Sequence, residues 1–113
     1  MAAERMRRVN EAIRQVIADA LAGELADPRL GFVTVTDVKT TPDLRNARVF
    51  VSVLGSSDAR ADSLAALESA HGVLQSQIAS QLALRRTPRL EFAYDATTDR
   101  ALRVETLLRE GDE

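Results

Sequence analysis

Three features of this 113-residue sequence predict a single α+β domain, ordered helix, strand, strand, helix, helix, strand, with a mixed three-stranded sheet. The apolar residues change period along the chain, from a three-and-four spacing at the start to alternation over residues 32–54 and back to helical spacing beyond. Pro42, Asp43 and Asn46 supply turn chemistry between two runs rich in Val, Thr and Phe. The third feature is the stretch Ser69–Leu90, which holds Arg85, Arg86 and Arg89, no Asp or Glu, and a glycine where the apolar residues keep helical time.

Met6, Val9, Ile13, Val16, Ile17, Ala20 and Leu21 fall on one face of a helix from about Glu4 to Leu25, with Arg7, Arg8, Glu11, Arg14 and Asp19 opposite. Asp27-Pro28 is expected to end it, because the residue before a proline is pushed out of the α region. After Gly31, Phe32, Val33, Val35 and Val38 interleave with threonines and suit a strand. The turn at 41–46 brings back an antiparallel partner, with Ala47, Val49, Val51 and Val53 on one face and Phe50 and Leu54 on the other. Apolar residues on both faces place this strand at the centre of the sheet. Gly55-Ser56-Ser57-Asp58 closes it and supplies N-caps for a helix beginning near Ala59.

Leu64, Leu67, His71, Leu74, Ile78 and Leu82 then recur at helical spacing, in a pattern that runs to about Leu84. A mid-helix glycine costs about 1 kcal/mol relative to alanine, so the expectation is a helix, a bend at Ala70-His71-Gly72 and a second helix. Leu90, Phe92 and Tyr94 alternate with Glu91, Ala93 and Asp95 in a short last strand. A strand reached through two helices returns parallel to the one it left. Thr97 or Thr98 offers an N-cap for a C-terminal helix carrying Leu102, Val104, Leu107 and Leu108, with Gly111 as its stop. Residues 1–95 are thus the core, and 96–113 the short C-terminal helix and acidic tail.

Composition excludes several classes. With no cysteine there is no disulfide scaffold, thiol catalysis or thiolate metal site, in keeping with a reducing cytosol. The start, MAAERMRRVNEAIRQ, lacks the apolar core of a secretory signal, and no apolar run approaches the ~18 residues of a membrane span. A cytoplasmic protein without a membrane partner is expected. Net charge is -2, but its distribution is uneven. Residues 1–14 set Arg5, Arg7, Arg8 and Arg14 against Glu4 and Glu11, Ser69–Leu90 is purely basic, and acids outnumber arginines from Glu91 onward.

Catalysis finds little support. The single histidine, His71, sits on the apolar stripe beside the bend, where packing accounts for it. There is no phosphate-binding glycine loop, no nucleophile elbow and no metal-spaced cluster. Asp27, Asp37, Asp43 and Asp95 lie at expected turns or strand ends, as capping residues do. The stronger signal is the bend. A helix starting at or just after Gly72 presents free N–H groups and the positive end of its dipole, and glycine lets a phosphate approach the backbone. Ser69, Gln75, Ser76, Gln77, Ser80 and Gln81 are expected to be exposed around it, while Arg85, Arg86 and Arg89 supply charge. Arg5, Arg7 and Arg8 rank behind that cluster, and Arg29 and Arg45 serve equally well as loop-stabilising residues. The residues alone leave nucleic-acid contact and protein contact both open, the latter as an adaptor using a sheet edge or an apolar surface.

The Arg-rich start with RVNEAI, Asp27-Pro28-Arg29-Leu30-Gly31, Asp43-Leu44-Arg45-Asn46-Ala47 before VFVSVLG, the Ala70-His71-Gly72 bend, and LRRTPRLEF at 84–92 stand in an order that resembles the ribosome-binding factor A family. The resemblance implies a type II KH-like domain in which a helix-bend-helix with Ala-x-Gly, here Ala70 and Gly72, replaces the GxxG loop. It also implies a monomeric, non-enzymatic assembly factor without cofactor or catalytic residues. Such a factor binds the free small (30S) ribosomal subunit and its 16S rRNA in late maturation, assists processing of the rRNA 5′ end and matters in the cold. The RNA-binding residues expected on this basis are Ala70, Gly72, Gln75, Ser76, Arg85, Arg86 and Arg89, with Arg5, Arg7 and Arg8. The acidic balance and short C-terminal extension depart from the family pattern.

Overall fold

The amphipathic N-terminal stretch folds as helix α1, Ala2–Gly23, in a computed structural model that describes residues 2–23, 25 and 27–97. α1 buries Ile13, Val16, Ile17 and Ala20. It stops at Gly23, short of the expected Leu25, because glycine is a poor helix former and the chain already turns there, with Leu25 N–H donating to Ala20 O at 3.1 Å. Pro28 and Arg29 belong to a separate turn.

Strand β1 is Phe32–Thr40 and strand β2 is Asn46–Leu54, paired antiparallel. The register shifts between Val35 and Asp37, so Thr36 is an extra residue in β1. That bulge explains the sequence pattern: regular alternation after Val35 would carry Asp37 into the core, and the inserted residue delivers Val38 instead. Between the strands Leu44 adopts φ 60°, unusual for a branched residue, with its side chain buried. The conformation is held by Thr41, whose Oγ1 donates to Asp43 Oδ1 at 2.7 Å, and by Leu44 N–H donating to Thr41 O at 2.9 Å.

Helix α2 is Ser57–Ser69, capped by Ser56 Oγ accepting from Ala59 N–H at 3.1 Å. Helix α3 is His71–Gln81, and strand β3, Arg89–Tyr94, pairs parallel to β2. The sheet order is β1-β2-β3, so β2 is central as its composition predicts. The elements follow the predicted α-β-β-α-α-β order of an α+β domain with a mixed three-stranded sheet.

One sheet face carries Val35, Val38, Ala47, Val49, Val51 and Leu90 into a core shared with Ile13 and Ile17 of α1, Leu67 of α2, and Leu74 and Ile78 of α3. Among the described residues no element covers the other face. Phe32 and Leu54, partners across β1 and β2, are 79% and 76% exposed, and Phe50 is half-buried. The two-sided apolar load of β2 therefore marks its central position without marking two buried faces. At the end of β3, Asp95 N–H donates to Val51 O at 2.7 Å, and the Asp95 carboxylate accepts from Thr36 Oγ1 at 2.6 Å and Thr97 N–H at 2.9 Å. Asp95, ahead of the expected Thr97, thus accepts from the free N–H at this point, while Thr98 lies outside the described residues. The expected helix side chains Leu102, Val104, Leu107 and Leu108 and the stop at Gly111 lie outside the described residues.

Ile78 joins α3 to the sheet and is fully buried. Ile78→Ala is expected to lower the unfolding free energy by about 2–5 kcal/mol, read from the denaturant midpoint at unchanged m-value.

Candidate nucleic-acid interface

α2 and α3 meet at one residue. Ala70, at φ -87° and ψ 0°, donates its N–H to Ala66 O and Leu67 O at 3.0 and 3.1 Å, and its carbonyl accepts from Leu74 N–H at 3.0 Å. The bend is therefore narrower than the expected Ala70-His71-Gly72: His71 and Gly72 are already the first two residues of α3. Leu74 N–H makes the first bond inside α3, which leaves the N–H groups of His71, Gly72 and Val73 without a partner inside that helix. No side chain caps this end and its first turn holds no acid.

Gly72 is exposed, its φ is not positive, and a Cβ built on it meets nothing within 4 Å. No backbone or packing constraint demands glycine there. The bend is positioned from outside instead. Arg29 grips Asp27 with two bonds, Nη2 to Oδ2 at 2.7 Å and Nε to Oδ1 at 3.1 Å, and donates to Ser69 Oγ at 3.0 Å. Below it Ser63, fully buried, accepts from Gly31 N–H at 3.1 Å. These bonds tie the segment before β1 to the last turns of α2.

Beyond the bend, Gly72, Ser76, Ala79 and Ser80 are exposed at spacings of three and four, a strip of small side chains along α3. Gln75 and Gln77 are half-buried, less open than expected. At 1.5 Å per residue the eleven residues of α3 separate its ends by about 16 Å. Arg85 and Arg86 follow the far end, and Arg89 opens β3, with its N–H donating to Arg45 O at 2.9 Å.

Ion pairing sorts the arginines. Arg7 and Arg8 pair with Glu4 at 2.6 and 3.5 Å, Arg29 with Asp27 at 2.7 Å, Arg45 with Asp43 at 3.5 Å and Arg48 with Glu91 at 3.2 Å. Among the described residues Arg5, Arg85, Arg86 and Arg89 make no such pair, and all four are exposed. Folding also brings acids to a stretch that has none in sequence. Glu68 and Glu91 line a shallow cavity with Arg89, and Asp43 lies within the field of Arg86. The Asp43 carboxyl is held below its ordinary value first by the Thr41 hydroxyl, next by Arg45 N–H, and then by the charges of Arg45 and Arg86. Arg85 faces no described acid in this way. Sequence reasoning left Arg45 outside the site. Its link to Arg89 follows from the parallel pairing of β3, which no local pattern encodes.

The profile of the ribosome-binding factor A family matches residues 5–108. A ribosome-binding factor A of Beutenbergia cavernae is 48% identical over 106 residues, covering 94% of this chain and 67% of the relative. One of Streptomyces griseus is 49% identical over 104 residues, covering 92% and 66%. The chain thus spans about two thirds of the length of these relatives. A homology model of Thermus thermophilus ribosome binding factor A, fitted into the cryo-EM map of a 30S complex, superposes with a TM-score of 0.61 at 30% identity, covering 74% of this chain and 88% of that one.

Gly72→Ala is expected to raise thermal stability by about 0.5–1 kcal/mol, because the position is helical and open. The Asp27 carboxyl is held at about 2 by the Arg29 guanidinium and then by Arg29 N–H. Its folded value lies below the usual 3.8, so the stability it contributes is present above that pH and is lost as pH falls through about 2. Asp27→Asn is expected to flatten the acid limb of the unfolding curve between these values, followed by circular dichroism.

Proposed function

Because the chain belongs to the ribosome-binding factor A family, we propose that it is a non-enzymatic ribosome assembly factor that binds the small (30S) subunit through 16S rRNA. In this reading it acts in the cytoplasm as a monomer during late maturation, assists processing of the rRNA 5′ end and supports growth in the cold. The observation that carries the RNA contact is the pairing state of the arginines: Arg85, Arg86 and Arg89 stand exposed and unpaired while most other described arginines hold carboxylates. A polyanion gains most from cations that need not release an internal partner. The open N-terminus of α3 and the small-residue strip let a phosphate backbone lie close to the helix between them. Arg7 and Arg8, held by Glu4, contribute less, and Arg5 is the freer of the three.

A protein-contact reading draws on Phe32 and Leu54, an exposed apolar pair of a kind soluble surfaces rarely leave without use. It predicts association with RNA-free ribosomal protein that is indifferent to the arginines.

The protein is expected to co-sediment with free 30S subunits. For about three phosphate contacts, the log–log salt slope of its rRNA affinity should be roughly -2 to -3. Replacing Arg85, Arg86 and Arg89 by Ala should weaken binding and reduce the slope toward zero; full affinity with an unchanged slope would remove these residues from the interface.

A further inference from the structure

We propose that the sheet face left open by the described residues carries a second RNA subsite, in which Phe50 stacks against one unpaired base of a single strand while Lys39, swung aside from the ring, holds its phosphate. The inference rests on the RNA-binding function proposed above and adds a contact on the side of the sheet away from the bend. Phe50 projects opposite to the buried Val49 and Val51, half-buried, in the middle of the central strand. Its neighbour on β3 is Ala93, too small to cover the ring, and its partner on β1, Asp37, lines a cleft on the α1 side with Arg7 and Asn10. Lys39, the single lysine of the chain, places Nζ 5.7 Å from the ring centroid and makes no ion pair among the described residues. In the next row Lys39, Arg48 and Glu91 align across the three strands, and Arg48 meets Glu91 at 3.2 Å.

A cavity of about 460 Å³ opens here, lined by Lys39, Thr41, Asn46, Arg48, Phe50 and Glu91. A half-buried aromatic ring beneath a lysine that makes no ion pair among the described residues, flanked by amide and hydroxyl groups, is what a stacked base and its phosphate require once the lysine moves from the ring to the phosphate. A strand backbone entering here also meets Arg45 and Arg89, which share this end of the sheet. Protein docking fits the opposite end better, where Phe32 and Leu54 are apolar and lie about 13 Å from Phe50 at 3.4 Å per residue.

The test uses a short fluorescein-labelled single-stranded RNA and the same strand made abasic. Phe50→Leu keeps an apolar residue of similar size in β2, and thermal melting checks that it remains folded. It should weaken binding of the base-bearing strand about tenfold. The abasic strand should bind the unaltered protein about as weakly, and Phe50→Leu should add nothing to that loss. The chain has no tryptophan, so Phe50→Trp provides one reporter whose fluorescence RNA should quench, while Leu54→Trp should stay unquenched. If folded Phe50→Leu binds both strands like the unaltered protein, while replacing the three arginines abolishes binding, the subsite is wrong and the RNA-binding function stands. If no strand binds at any salt concentration, the function falls and the subsite with it. If only RNA-free ribosomal protein perturbs the Phe50→Trp signal, the face is a protein-docking surface and the proposal is overturned.

Discussion

The structure depends on the alternation of β2. Among the described residues it is the one strand hydrogen-bonded on both sides, and its Val49 and Val51 lie fully buried where α1, α2 and α3 converge. A one-residue slip of this strand would turn Phe50 and Arg48 into that core and bring the valines out. The same alternation creates the open face, so core and candidate base platform are two consequences of one pattern. β1 obeys it only through the bulge at Thr36, without which Asp37 would point inward.

The bend between α2 and α3 follows a different logic. Its helix ends share one residue, Ala70, which is packed against the core. What fixes its place is the chain of bonds from Asp27 through Arg29 to Ser69, with Ser63 bonded to Gly31 below. The uncapped first turn of α3 is thereby held in place by a support made elsewhere. Glycine at position 72 adds no demand of its own on the fold.

Electrostatics in space differs from electrostatics along the chain. Ser69–Leu90 contains no acid, yet Glu68, Glu91 and Asp43 all come near its arginines once the sheet forms. Conversely, arginines that look as basic in sequence, such as Arg7 and Arg29, have their charge engaged by carboxylates three residues before or two residues before. The basic surface is the remainder after that pairing, smaller than the count of arginines suggests.

The order of elements, the central place of β2, the helical stripe from Leu64 to Leu82 and the position of the bend were legible in the sequence, because each follows from local periodicity, turn chemistry and the sparing use of glycine. Local rules missed the ends: Gly23 closes α1 ahead of Pro28, and Asp95 caps the chain before Thr97 can. Part of the charge map was beyond them, since Asp43 and Arg45 reach Arg86 and Arg89 through strand pairing over some forty residues. So was the exposure of Phe50, because an apolar residue in a central strand reads alike whether its face is covered or open. Sequence alone determined which residues can be buried; the packing of α1, α2 and α3 on one side of the sheet decided which of the described ones are.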